Sequence, residues 1–148
     1  MLLLAVPLAH AQSNLPSDPA KEPILVRWPE RLPDFLREGL AQSKETGKPI
    51  LLDFSAKWCG PCKHMERKVF PHPRVASELN NWILIKIDRD KHPDLARSFS
   101  VTALPSFFLL SKDHEIMSKS VGLQIPFDFV DWLTMSRNRE SDAIMVAE

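Results

Sequence analysis

Four residues after the apolar run Ile50-Leu51-Leu52-Asp53-Phe54 ends, the chain reads Trp58-Cys59-Gly60-Pro61-Cys62-Lys63, which holds its only two cysteines. A continuous apolar run of this length suits a strand covered on both faces. Pro61 suits the first turn of a helix, where its missing N–H would have no partner anyway. Residues three apart share a helix face, so Cys59 at the helix start can reach Cys62 one turn on. A helix N-terminus favours a thiolate over a thiol. Strand, cysteine pair and helix together therefore constrain both the fold and the chemistry.

A pair at this spacing also serves zinc sites, haem attachment and structural disulfides. A structural zinc site wants four ligands, and the chain has neither a second cysteine pair nor two histidines at ligand spacing. Covalent haem needs histidine directly after the second cysteine, where Lys63 stands. As a staple, the pair closes a minimal loop and constrains the unfolded chain least. A redox couple remains, with no metal and no bound cofactor expected. His64, His72, His92 and His114 show no ligand spacing and read as surface residues.

The 148 residues, 44% hydrophobic and 26% charged, suit one domain with a real core. Nineteen basic residues balance nineteen acidic ones, which argues against a nucleic-acid partner. The chain is expected to act as a monomer. Leu2 to Ala9 is apolar and Ala9-His10-Ala11 offers a small-x-small cleavage pattern, so residues 1–11 read as a signal peptide and the protein as exported, to the periplasm or beyond. No Lys or Arg precedes the run, the one element of such a leader that is missing. The run is too short to span a bilayer. No cysteine near the cleavage pattern offers a lipidation site.

Residues 12–30, with Pro16, Pro19 and Pro23, read as an extended leader, within which Ile24-Leu25-Val26 suits a short strand. The domain is expected over 31–136. Helices are predicted over Pro33–Lys48, Cys59–Phe70, Arg74–Asn80 and His92–Ser100, and from Pro126 onward. Strands are predicted at Ile50–Phe54 and Trp82–Asp88. Ser106–Leu110 and Glu115–Val121 read as an antiparallel hairpin. Residues 137–148 form a polar tail, either a helix extension or unstructured. This order gives an α/β fold, a mixed central sheet with helices on both faces. Asp53 is the other informative residue. A carboxylate inside an apolar strand is costly without a partner or a role, and burial raises its pKa toward that of a neutral-pH proton acceptor.

Leu52 to Lys63 resembles the active-site segment of the thioredoxin superfamily, and Val101-Thr102-Ala103-Leu104-Pro105-Ser106-Phe107 resembles its cis-proline segment. Val121-Gly122 fits the same pattern. Gly47-Lys48-Pro49 and Met65-Glu66-Arg67-Lys68-Val69-Phe70 resemble the exported branch typified by the DsbD C-terminal domain.

The resemblance implies a thioredoxin fold and a thiol–disulfide oxidoreductase. It implies that Cys59 is the exposed nucleophile, that Cys62 is the more buried resolving thiol, and that Asp53 accepts the Cys62 proton. Gly60-Pro61 is the pair of reducing thioredoxins, which implies a low-potential couple. Leu104 would offer its backbone to a substrate across Pro105, and Trp58 would cover the site. Glu66 matches an acid that tunes the thiols in the DsbD-like branch.

In this superfamily a lysine often lies four residues before the acid that ends the next strand. Counting from Asp88 gives Leu84, so Asp53 lacks an obvious cation, and Lys86, two residues on and on the same strand face, is the remaining candidate. The implied partners are disulfide-containing client proteins and a membrane-bound electron donor. An oxidant or isomerase, or a peptide-binding module without turnover, remains the alternative.

Overall fold

A computed structural model describes residues 26–147. Its sheet has four strands, β1 (Ile50–Ser55), β2 (Ile83–Asp88), β3 (Ser106–Leu110) and β4 (Ile116–Val121), in the order β2-β1-β3-β4. β1 and β2 run parallel, while β3 is antiparallel to both β1 and β4. The sheet is mixed, and β4 is an edge. The hairpin forms as expected, with a register shift at Leu109 and Leu110.

Side chains alternate across a strand, and here the alternation sorts two cores. Ile50, Leu52, Phe54, Ile83, Ile85, Ile87, Phe108 and Leu110 face α1 (Asp34–Thr46) and α4 (Pro93–Ser98), meeting Leu36, Leu95 and Phe99. Leu51, Phe107 and Leu109 face the other way, onto Met65, Val69, Phe70, Val75, Phe129 and Leu133. Coverage on both faces explains why β1 reads as an unbroken apolar run. α1 ends at Gly47, whose φ of 71° is the left-handed geometry that glycine adopts freely. Gly39 lets α1 approach β2 closely: a Cβ there would lie 2.3 Å from Ile85 Cδ1.

The second helical stretch changes pitch. α2 (Gly60–His64) is α-helical, and Met65–Val69 continues it as a π-helical turn, with the Phe70 N–H bonded to the Met65 carbonyl at 2.8 Å. Pro73 opens α3 (Pro73–Leu79) at its first position, as proline can. α5 runs Pro126–Ala147, so position 137 lies inside a helix rather than at its end. Arg137 ties α5 to α3 through Glu78, at 2.9 and 3.2 Å, and Glu78 also accepts from the Trp82 indole at 3.1 Å.

Two readings of the leader need correction or fall out of view. Ile24 and Leu25, like the cleavage pattern and the rest of residues 1–25, lie outside the described residues. Val26 is not in a strand; it packs with Trp28 and Leu32 against the α1 and α4 core, and Trp28 meets Phe99 edge-on at 5.2 Å. Apolar burial thus holds the end of the leader to the domain. Among the described residues no helix is long and apolar enough to cross a membrane.

Candidate active site

β1 ends at Ser55, and the chain turns so that the Cys59 N–H bonds the Ala56 carbonyl at 3.1 Å. Cys59 is the N-cap of α2 in extended geometry, and its Sγ accepts the Cys62 N–H at 3.2 Å. Cys59 and Cys62 form a disulfide, with Cα atoms 5.3 Å apart. The sulfur that caps the helix is the one a positive helix terminus and a backbone N–H would hold as thiolate. Exposure does not separate the two cysteines as expected: they are 3% and 5% exposed. The bond folds Cys59 inward against Ala56 and Leu104, so helix position, not burial, distinguishes the pair.

The Leu104–Pro105 peptide is cis, and Leu104 packs on Ala56, Cys59 and Cys62. The Pro105 carbonyl is taken by the Gly122 N–H at 2.8 Å. Among the described residues, no backbone hydrogen bond uses the Leu104 N–H or carbonyl. A free donor and acceptor therefore stand beside the sulfurs, which is what an added strand requires. Trp58 does not cover the site as a packed lid. It is 65% exposed, with its indole N–H donating to Asp90 Oδ2 at 2.8 Å.

Asp53 is buried in β1, 3% exposed, on the sheet face that carries Leu51. Among the described residues no side-chain hydrogen bond serves it. Burial pushes its carboxyl up to about 7, Lys86 pulls it partly back, and Glu66 pushes it further up. Lys86, the candidate left by the absence of a lysine at Leu84, is thus the cation that acts on Asp53. Parallel pairing sets Lys86 directly opposite Asp53, and Lys86 Nζ also bonds Glu66 Oε1 at 2.9 Å. The cation comes from Lys86, two residues beyond Leu84 on the same strand face. Asp53, Lys86 and Glu66 form one electrostatic group. A cavity of about 330 Å³, lined in part by Cys62, Glu66, Lys57 and Asp88, opens beside it.

Replacing Lys86 with Gln removes the cation, so Asp53 titrates above about 7; Glu66→Gln removes the anion, so it titrates lower. Both partners are half exposed, so solvent screens each effect, and activity near neutral pH moves by about threefold or less. The pH profile of disulfide reduction reads the two shifts. Opposite signs are expected, and shifts in one direction would contradict the arrangement.

The histidines are not all surface residues. His92 packs on Phe35 at 5.0 Å, His114 Nε2 lies 3.2 Å from the Leu40 carbonyl, and His72 Nδ1 is buried without a partner. Among the described residues no cluster of side chains suits a metal ion.

Comparison with known proteins agrees with this geometry. Thioredoxin H2 of Arabidopsis thaliana is 41% identical over 73 residues, which cover 49% of this chain and 53% of that protein. A thioredoxin of Chlamydia trachomatis is 36% identical over 88 residues, 60% of this chain and 81% of its own. The matches span about half to two thirds of the length of the first plant and mitochondrial relatives. Among solved structures, a poplar thioredoxin h aligns with a TM-score of 0.60 at 27% identity, covering 70% of this chain and 90% of that one. The reduced DsbD C-terminal domain of Neisseria meningitidis aligns at 0.58 with 22% identity, covering 68% and 93%, a likeness of fold. The thioredoxin family model matches residues 37–134, from within α1 to within α5, and with more than half of its length so matched the chain belongs to the thioredoxin family.

Proposed function

We propose that this chain is an exported thiol–disulfide oxidoreductase that works mainly as a reductant of protein disulfides. The observation that carries the reading is the Cys59–Cys62 disulfide at the start of α2, packed against Leu104 with its free backbone, with Asp53 buried in the preceding strand. A client strand lies along Leu104 and presents its disulfide to Cys59. In the reduced protein the Cys59 thiolate attacks one client sulfur, forming a mixed disulfide and releasing the other client sulfur as a thiol after protonation. Asp53, near pH 7 in its titration, accepts the Cys62 proton. The Cys62 thiolate then attacks Cys59 Sγ, closing the Cys59–Cys62 disulfide and freeing the second client thiol. Two electrons pass from the dithiol to the client, and a dithiol donor restores the pair.

Supporting reduction are the Gly60-Pro61 dipeptide and the thioredoxin relatives. Supporting export are the apolar run Leu2–Ala9 and the small residues Ala9 and Ala11. An exported reductant lies beyond cytosolic reductases, so a membrane protein carrying a dithiol is the proposed donor. Turnover of a protein disulfide such as that of insulin, with a dithiol as donor, tests the activity. Reduction well above the donor alone is expected, and none would overturn it. Mass spectrometry of the N-terminus after secretion tests export, with cleavage after Ala11 expected and an intact N-terminus contradicting it.

A further inference from the structure

The segment that joins β4 to α5 carries an unusual surface. Val121, Leu123, Ile125 and Phe127 are 46%, 50%, 59% and 53% exposed, four large apolar side chains in seven consecutive residues. The intervening residues bond inward: the Gly122 N–H to the Pro105 carbonyl at 2.8 Å, and the Gln124 N–H to Met65 Sδ at 3.4 Å. The odd positions are exposed and the even ones half-buried, so the inward bonds of Gly122 and Gln124 hold this segment with its apolar side chains toward solvent. Contiguous apolar surface on a rigid frame marks an interaction site.

The ridge is tied to the active site at one end: Gly122, between Val121 and Leu123, bonds the carbonyl of Pro105, the residue after the free backbone of Leu104. At its far end Phe127 packs against His72 at 5.6 Å, and the Arg74 guanidinium lies 5.6 Å from the Phe127 ring centre. Among the described residues Arg74 enters no ion pair. An unpaired guanidinium fixed over an exposed aromatic suits a carboxylate that arrives with an apolar neighbour.

We infer that this ridge is a specificity surface for the client. Its occupant is an extended segment flanking the client's cysteine, apolar at alternate positions and carrying an acidic side chain that meets Arg74. The inference rests on the oxidoreductase reading and adds the class of substrate that it prefers. Because the ridge lies away from the sulfurs, it acts on KM and leaves kcat to the cysteines.

Two synthetic peptides with the same internal disulfide test it on the full chain, with a dithiol donor. In one the cysteines are flanked by alternating isoleucine and phenylalanine with an aspartate; in the other serine, glutamine and lysine replace them. The expected kcat/KM favours the first by about tenfold or more, carried by KM. In the double variant Ile125→Ser, Phe127→Ser the preference falls to about twofold or less. Arg74→Glu, an exposed position, reverses the preference between aspartate and lysine placed in the apolar peptide. Equal kcat/KM for both peptides, or a preference that survives the double variant, overturns the ridge while leaving the oxidoreductase reading intact. Reduction of neither peptide overturns both.

Discussion

Cys62→Ser accumulates a mixed disulfide between Cys59 and its client, whereas Cys59→Ser accumulates none. The asymmetry follows from the helix cap. The hydrogen bond to Cys59 Sγ comes from the backbone N–H of residue 62, which serine retains, so the attacking thiolate keeps its stabilisation. Only the second attack is lost, and the adduct has no exit. Removing Cys59 instead leaves a sulfur one turn inside the helix, with no capping N–H to hold its thiolate. Turnover in either variant falls by at least about three orders of magnitude, because the two thiols act as a unit. Non-reducing gels and mass spectrometry of the adduct distinguish them. Trapping through Cys62 in the Cys59→Ser protein would reverse the assigned order.

Asp53→Asn is expected to make the protein more stable and less active. In the unfolded chain the carboxyl titrates near its ordinary 3.8, and in the fold at about 7. The folded state thus binds more protons between these values, and stability declines as pH rises from 3.8 to 7. Above pH 7 the charged, buried form costs roughly 4 kcal/mol, which asparagine avoids. Denaturant unfolding of the oxidised protein should show a gain of that order at pH 8 and almost none below pH 4. Loss of the proton acceptor should slow disulfide reduction by ~100-fold or more near neutral pH. Equal stability of the two proteins at pH 8 would contradict the burial cost.

Where local chemistry decides the outcome, the sequence is readable. The apolar run of β1, proline at the first turns of α2, α3 and α4, and Gly47 after α1 each act within a few residues, and those elements lie where the patterns put them. The Cys59–Cys62 spacing is legible for the same reason, and the Leu104–Pro105 segment through its resemblance to the family's cis-proline segment.

What depends on register or tertiary contact was less so. Lys86 faces Asp53 because β1 and β2 pair in parallel with Ile50 opposite Ile83, and a count along one strand cannot supply that alignment. Burial of Cys59 follows from its bond and from Leu104, about 45 positions further along the chain. The α5 helix continues past residue 137 because Arg137 and Glu140 find partners on α3 and the β3–β4 turn. The exposed ridge depends on the inward bonds of Gly122 and Gln124, which join residues far apart in the chain.

The central claim is the direction of electron flow through Cys59 and Cys62, and the reduction potential of that couple tests it most directly. Equilibration of the full chain against a dithiol redox buffer, followed by alkylation and mass spectrometry, measures it. A value near about −270 mV, typical of reducing thioredoxins, is expected; one near about −120 mV, typical of a strong oxidant, would contradict the account.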